Sequence, residues 1–179
     1  MNCIKLLTDI DFNLDVSELI NPKKRIAARG LVFNSEGKIA ILNKKNKNEY
    51  KLIGGGVEED EDPKIAFERE VLEEAGCRIE IDDFIGIIEE KRTKCNFYQV
   101  SYVYKAHVIE DTKQLSLTAK EISEGSELKW LNIDEAIELI KNCEDILVDS
   151  IYDDVYNTKF VVRRDYYILQ YYIDVYSKH

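Results

Sequence analysis

Proline is nearly absent from this 179-residue chain, which has only Pro22 and Pro63, and glycine is sparse at eight residues. With 45% hydrophobic residues, that scarcity excludes collagen-like, linker-like and low-complexity architectures. Basic residues are in deficit, 25 against 35 acidic ones. The resulting net charge of −10 argues against DNA and anionic membranes as partners, because both are bound by neutralising phosphates with basic clusters. No apolar run approaches the length of a bilayer span, and Met1 to Leu14 has neither a basic leader nor a continuous apolar stretch. Cys3, Cys77, Cys95 and Cys143 lie far apart with no C-x-x-C pair, which disfavours a thiolate zinc site. Free thiols in a reducing cytoplasm are the expectation, in one domain spanning residues 1–179.

What the chain does contain is a series of short strand-like runs interleaved with helical ones. Ile4 to Phe12 reads as an edge strand within an N-terminal extension (1–24). Arg25 to Phe33 and Lys38 to Leu42 flank the polar turn Asn34-Ser35-Glu36-Gly37 and read as a β-hairpin. Tyr50 to Ile53 is a further strand that runs into Gly54-Gly55-Gly56. A helix is predicted over Pro63 to Ala75, with Asp62 as its cap, Pro63 at the first helical position and Gly76 as its left-handed terminator. Strands follow at Arg78 to Ile81, Phe84 to Lys91, Phe97 to Ile109 and Glu127 to Leu131. Asn132-Ile133-Asp134-Glu135 is a capping box opening a helix to about Lys141, and the tail (158–177) is a closing helix. The fold class is therefore α/β (α+β), with a mixed sheet packed between helices.

The chemistry concentrates on the predicted helix at 63–75. At about 100° per residue, Glu73 and Glu74 lie one turn beyond Glu70 and within roughly 60° on either side of it, so three carboxylates share a face. Ile65, Val71, Leu72 and Ala75 fall on the opposite side, where they can anchor the helix to a sheet. Glu68 has no account from periodicity. Three clustered carboxylates repel one another unless a cation sits among them, and Mg²⁺ or Mn²⁺ suits such an oxygen site. Ions there would polarise phosphoryl oxygens and help generate a nucleophilic hydroxide. A divalent cation also lets an acidic protein act on an anionic substrate, so the acid surplus does not exclude phosphate compounds. Arg69 can fork onto Glu70 or Glu73 and orient it.

The stretch Gly55 to Cys77, GGVEEDEDPKIAFEREVLEEAGC, resembles the Nudix box, G-x5-E-x7-R-E-U-x-E-E-x-G-U with U apolar. Gly55, Glu61, Arg69, Glu70, Glu73, Glu74 and Gly76 take the fixed positions, and Val71 and Cys77 the apolar ones. At roughly one in ten per position, a chance match is on the order of one in 10⁷ starts. The resemblance implies a Nudix-like α/β/α sandwich and a metal-dependent hydrolase acting on a nucleoside diphosphate linked to another group. It also implies that the Gly55 carbonyl joins Glu70, Glu73 and Glu74 as a metal ligand. A further acid is commonly supplied ahead of a Trp-containing strand. Glu124, six residues before Trp130, resembles it as ligand or base, with Glu121 and Glu127 competing for the assignment. The family's proline before the glycines is replaced by Ile53, which alters loop geometry without removing a chemical group.

Arg29 alternates with Ala28 and Gly30 and is a candidate phosphate contact in the substrate cleft, against an ordinary surface arginine. Tyr166, Tyr167, Tyr171, Tyr172 and Tyr176 either pack the closing helix or stack on a base. If the chain pairs with itself, the aromatic tail and the N-terminal strand are the expected contacts. Among substrates, nucleoside triphosphates, nucleotide sugars and dinucleoside polyphosphates stay in contention, with a lean to nucleotides. Two other readings are a catalytically silent sensor of a nucleotide or sugar, which the intact carboxylate set disfavours, and an isomerase or capped-RNA enzyme.

Overall fold

The computed structural model describes residues 2–175. Seven strands, β1 (Cys3–Thr8), β2 (Lys23–Phe33), β3 (Ile39–Lys44), β4 (Glu49–Gly56), β5 (Cys77–Arg92), β6 (Phe97–Asp111) and β7 (Ser126–Leu131), form one mixed sheet in the order β1-β5-β6-β2-β4-β3-β7. Four helices accompany them: α1 (Pro63–Ala75), α2 (Ala119–Ser123), α3 (Ile133–Cys143) and α4 (Val155–Val175).

Strand alternation sorts the core into two layers. Leu31, Ile41, Leu52, Ile88 and Val103 point to one face and pack with Ala136 and Ile140 of α3 and Val162, Ile168 and Leu169 of α4. Their neighbours Val32, Leu42 and Ile53 point to the other face and pack with Ala66, Phe67, Val71 and Ala75 of α1. The result is the α/β/α sandwich expected from the sequence. Gly30 shows how closely α1 is seated: a Cβ there would stand 2.1 Å from the Tyr104 carbonyl oxygen and 2.8 Å from the Phe67 ring.

Four sequence expectations change. The β2–β3 hairpin pairs only at Phe33 and Ile39. Beyond the Asn34 turn the strands part, because β2 is a central strand whose edges are taken by β4 (antiparallel) and β6 (parallel). The two strands expected in 78–91 are one, β5, whose register shifts twice between Ile79 and Gly86 as it follows β6. The N-terminal strand ends at Thr8 and is an edge strand, parallel to β5. On α1, Ile65 and Leu72 are exposed, so Phe67 and Ala66 join Val71 and Ala75 as the anchors; Glu68 points to solvent.

In α4 the tyrosines mostly pack the helix down. Tyr172 lies 5.7 Å from Phe33 between ring centroids, Tyr171 accepts a hydrogen bond from Asn2, and Tyr166 and Tyr167 flank the α3/α4 core. Tyr176 lies outside the described residues. All four cysteines are free, and no helix of the described residues is long and apolar enough to cross a membrane.

Candidate functional site

Helix α1 begins where the sequence places it. The Asp62 side chain accepts from the Lys64 N–H, Pro63 opens the first turn, and Gly76 closes the helix at φ 65° with its N–H on the Leu72 carbonyl. This fixes Glu70, Glu73 and Glu74 at i, i+3 and i+4 along one wall of a cleft of about 430 Å³, facing the end of β4.

Glycines set the opposing wall. Gly54 has φ 143°, where a side chain is strained, and its Cβ would stand 2.4 Å from the Ala28 carbonyl oxygen. Gly55 lets the backbone lie against Glu70: a Cβ there would stand 2.2 Å from Glu70 Oε1. Two motif carboxylates and the loop are then tied together by Arg69. Its Nε and Nη2 donate to the two oxygens of Glu61 at 2.9 and 3.0 Å, Nη2 also to the Gly56 carbonyl at 3.0 Å, and Nη1 to Glu70 Oε1 at 2.9 Å. A weaker contact reaches Glu73 Oε2 at 3.4 Å. Arg69 thus clamps the loop to the helix and aims Glu70; the paired Glu61 is held below the usual carboxylate range by that hydrogen bond.

Glu74 is the most enclosed of the three. It receives the Gly54 N–H at 3.1 Å on Oε2 and Lys51 Nζ at 3.4 Å on Oε1. Burial pushes its carboxyl up to about 7; Lys51 opposes the rise and Glu70 adds to it. Glu73 is half-buried and also raised, by burial first, with Arg69 opposing. Among the described residues only its Oε2 is engaged, by Arg69, which leaves Oε1 open to the cleft.

The structure separates the three acids that compete for the fourth position. Glu124 is not among the residues lining the cleft: it is 1% exposed and bound to Lys44 Nζ at 2.6 Å, Ser150 Oγ at 3.0 Å and Lys47 Nζ at 3.8 Å. Glu127 pairs with Lys45 on the surface. Glu121 lines the cleft, where its charge adds to the rise at Glu74, and its Oε2 accepts from the Thr118 N–H and hydroxyl. Its backbone is fixed by α2, a short helix absent from the sequence reading, although Thr118-Ala119-Lys120-Glu121 is a capping box and forms as one.

Arg29 lines the cleft as expected but is 3% exposed, on the α4 face of β2, with Nη1 3.9 Å from Asp165. Periodicity gave no sign of the other cations in the cleft, Arg25, Lys44, Lys47, Lys51, Arg92, Lys120 and Arg164, because they come from separate elements.

The sequence and the fold have counterparts among known proteins. The NUDIX domain matches residues 23–149. The chain is 28% identical over 117 residues to a MutT-like protein of Streptomyces ambofaciens, covering 65% of this chain and 70% of that one. It is 31% identical over 122 residues to diphosphoinositol polyphosphate phosphohydrolase 2 of Rattus norvegicus, covering 66% of this chain and 63% of the rat protein, so this alignment spans less than two thirds of that relative. Solved structures share the fold: a MutT protein from Methanosarcina mazei Go1 (TM-score 0.51, 22% identity, 82% of this chain and 96% of that one) and a NUDIX hydrolase from Nitrosomonas europaea (0.56, 17%, 80% and 88%). With the complete motif running from the end of β4 through α1 to Cys77 and a domain match over most of its length, the chain belongs to the Nudix family of hydrolases.

Proposed function

We propose that the chain hydrolyses the diphosphate bond of a small molecule with the help of a divalent cation held by Glu70, Glu73, Glu74 and the Gly55 carbonyl. The observation that carries this reading is the close approach at Gly55. Only the missing side chain there lets the backbone of β4 lie against the Glu70 carboxylate, with the buried Glu74 alongside on the Gly54 N–H. Oxygen donors in a water-accessible cleft suit Mg²⁺ or Mn²⁺, and Nudix hydrolases generally use divalent ions. Among the described residues the three carboxylates do not themselves close into a metal cluster, because Arg69 holds Glu70 and Glu73 and Lys51 holds Glu74, so a cation would have to draw them together. Such an ion supplies Lewis-acid charge to the phosphoryl oxygens.

The chain's own residues then have separable tasks. Arg69 holds Glu70 and the glycine loop in register. Lys51 and the Gly54 N–H fix the orientation of Glu74. Glu73, with one oxygen uncommitted, takes the proton of the water that attacks phosphorus while the anhydride P–O bond breaks and the phosphate-containing group leaves. Glu121 replaces Glu124 as the fourth acid of the site, and Glu124 instead neutralises Lys44 and Lys47.

The nucleoside diphosphates expected from the sequence and the diphosphoinositol polyphosphate named in the relatives share the bond to be broken and differ in what lies beyond it. The test is release of phosphate or nucleotide from a panel of diphosphate compounds with Mg²⁺ or Mn²⁺. Metal-dependent turnover of at least one compound, reduced by orders of magnitude in Glu73→Gln, is expected. Silence across the panel, or a fully active Glu73→Gln, overturns the reading.

A further inference from the structure

Apart from Lys51 and Arg69, which pair with Glu74 and with Glu61 and Glu70, the cations in the cleft fall into two groups with different charge balance. Near Glu124, the cations Lys44, Lys47 and Lys120 meet the acids Glu49, Glu124 and Asp153, three against three, and they pair among themselves. On the α4 face of β2, β5 and β6 lies a second group: Arg25, Arg29, Arg92 and Arg164 with Glu90 and Asp165, four against two. Glu90 is 0% exposed and takes Arg92 at 2.7 Å and Arg164 at 3.2 Å, while Asp165 takes Arg164 at 2.8 Å and has its other oxygen on the Leu52 N–H at 2.9 Å. The two acids are used up by Arg92 and Arg164.

Arg25 and Arg29 are left over. No carboxylate of the described residues lies within 4.0 Å of the Arg25 guanidinium, which stands beside Gly56; Glu70, across the glycine loop, is the acid that acts on it most but is itself taken by Arg69. Arg29 has only the 3.9 Å contact to Asp165, and its buried Nε has no hydrogen-bond partner; the Nε of Arg92 is likewise unpartnered. Burial, with Arg164 nearby, pushes Arg29 down to about 9, so the arginine is held charged at a cost that an anion would remove. Unpartnered buried donors of this kind call for a ligand. The cleft also has no Phe, Tyr or Trp among its described lining residues, so it offers no aromatic face for a nucleobase.

We propose that Arg25 and Arg29, backed by Arg92 and Arg164, form a second anion subsite for a phosphate group of the substrate other than the scissile diphosphate. This rests on the diphosphate reading above and assigns its substrate class: a polyphosphorylated small molecule on a non-aromatic scaffold. The surplus of two positive charges matches a phosphate monoester dianion, and arginine forks suit its oxygens.

Calorimetric titration with myo-inositol hexakisphosphate in EDTA tests the subsite without metal or turnover. Arg25 is exposed and unpaired, so Arg25→Ala and Arg25→Glu leave the fold intact. The expected result is binding to the wild type, weakened roughly tenfold or more in Arg25→Ala, further weakened in Arg25→Glu, and retained in Glu73→Gln. Adenosine diphosphate ribose, with a base and no third phosphate, should bind wild type and Arg25→Ala alike. Equal affinity of wild type and both Arg25 variants for the hexakisphosphate, or a stronger effect of Arg25→Ala on adenosine diphosphate ribose, overturns the subsite. Failure of the diphosphate reading shows separately, as loss of turnover across the Mg²⁺ panel with this binding intact.

Discussion

Replacing Gly55 with alanine probes the site at one atom. Gly55, unlike Gly54, is not among the positive-φ glycines, so alanine meets no backbone strain there. The new methyl would stand 2.2 Å from Glu70 Oε1, 2.4 Å from Cδ and 2.5 Å from Oε2. Ordinary contact begins near 3.4 Å, so the carboxylate must retreat by about 1.2 Å, the difference of those two distances. A carboxylate at the end of a flexible side chain can move that far at little cost to stability. It cannot do so while keeping both its Arg69 hydrogen bond at 2.9 Å and its place against the Gly55 backbone. A displacement of that size typically costs about 10²-fold in turnover. Thermal unfolding should therefore change by only a few degrees, while turnover with Mg²⁺ falls about 10²-fold and the metal requirement moves to higher concentration. Wild-type turnover and metal dependence in a folded Gly55→Ala protein would refute the reasoning.

Two further outcomes follow from the placement of the acids. Glu121→Gln should fold normally and lose activity, whereas Glu124→Gln should lower stability by about 3 kcal/mol through the stranded charges of Lys44 and Lys47, as urea unfolding of both variants will show; the reverse pattern would restore Glu124 to the site. Burial alone would raise Glu90, but Arg92 and Arg164 hold it at about 2 against an ordinary 4.5. A depressed carboxylate stabilises the fold fully above its unfolded value and loses that contribution as pH falls, so the advantage of the wild type over Glu90→Gln should shrink by about 3 kcal/mol between pH 4.5 and pH 2. A gap that stays constant over that range would contradict the buried pairing.

How much of this was legible in the sequence depended on distance along the chain. Glu70, Glu73 and Glu74 share a face by helical spacing alone, and Asp62, Pro63 and Gly76 bound their helix by local chemistry, so both were readable from the thirteen residues of the helix and its two caps. Arg69 was readable as an orienter, but its strongest partner, Glu61, was not, because that pairing depends on how the loop folds back. Glu121 and Glu124 are three residues apart, and only the short α2, nucleated by Thr118, decides which faces the cleft. Leu72 and Ile65 were assigned to the core on helical phase, yet the sheet beneath α1 is reached by Phe67 and Ala66 instead. The arginine group was invisible for the same reason as the β2–β3 pairing was misjudged. Arg25, Arg92 and Arg164 meet only through the β2–β6–β5 register and the seat of α4, and no local pattern encodes that.

The most direct test of the central claim is anomalous diffraction from crystals grown with Mn²⁺. A manganese peak bounded by the Gly55 carbonyl and the carboxylates of Glu70, Glu73 and Glu74, and lost in Glu70→Gln, is the predicted result. A folded protein whose manganese binds elsewhere, with those oxygens still paired only to Arg69, Lys51 and the Gly54 N–H, would contradict it.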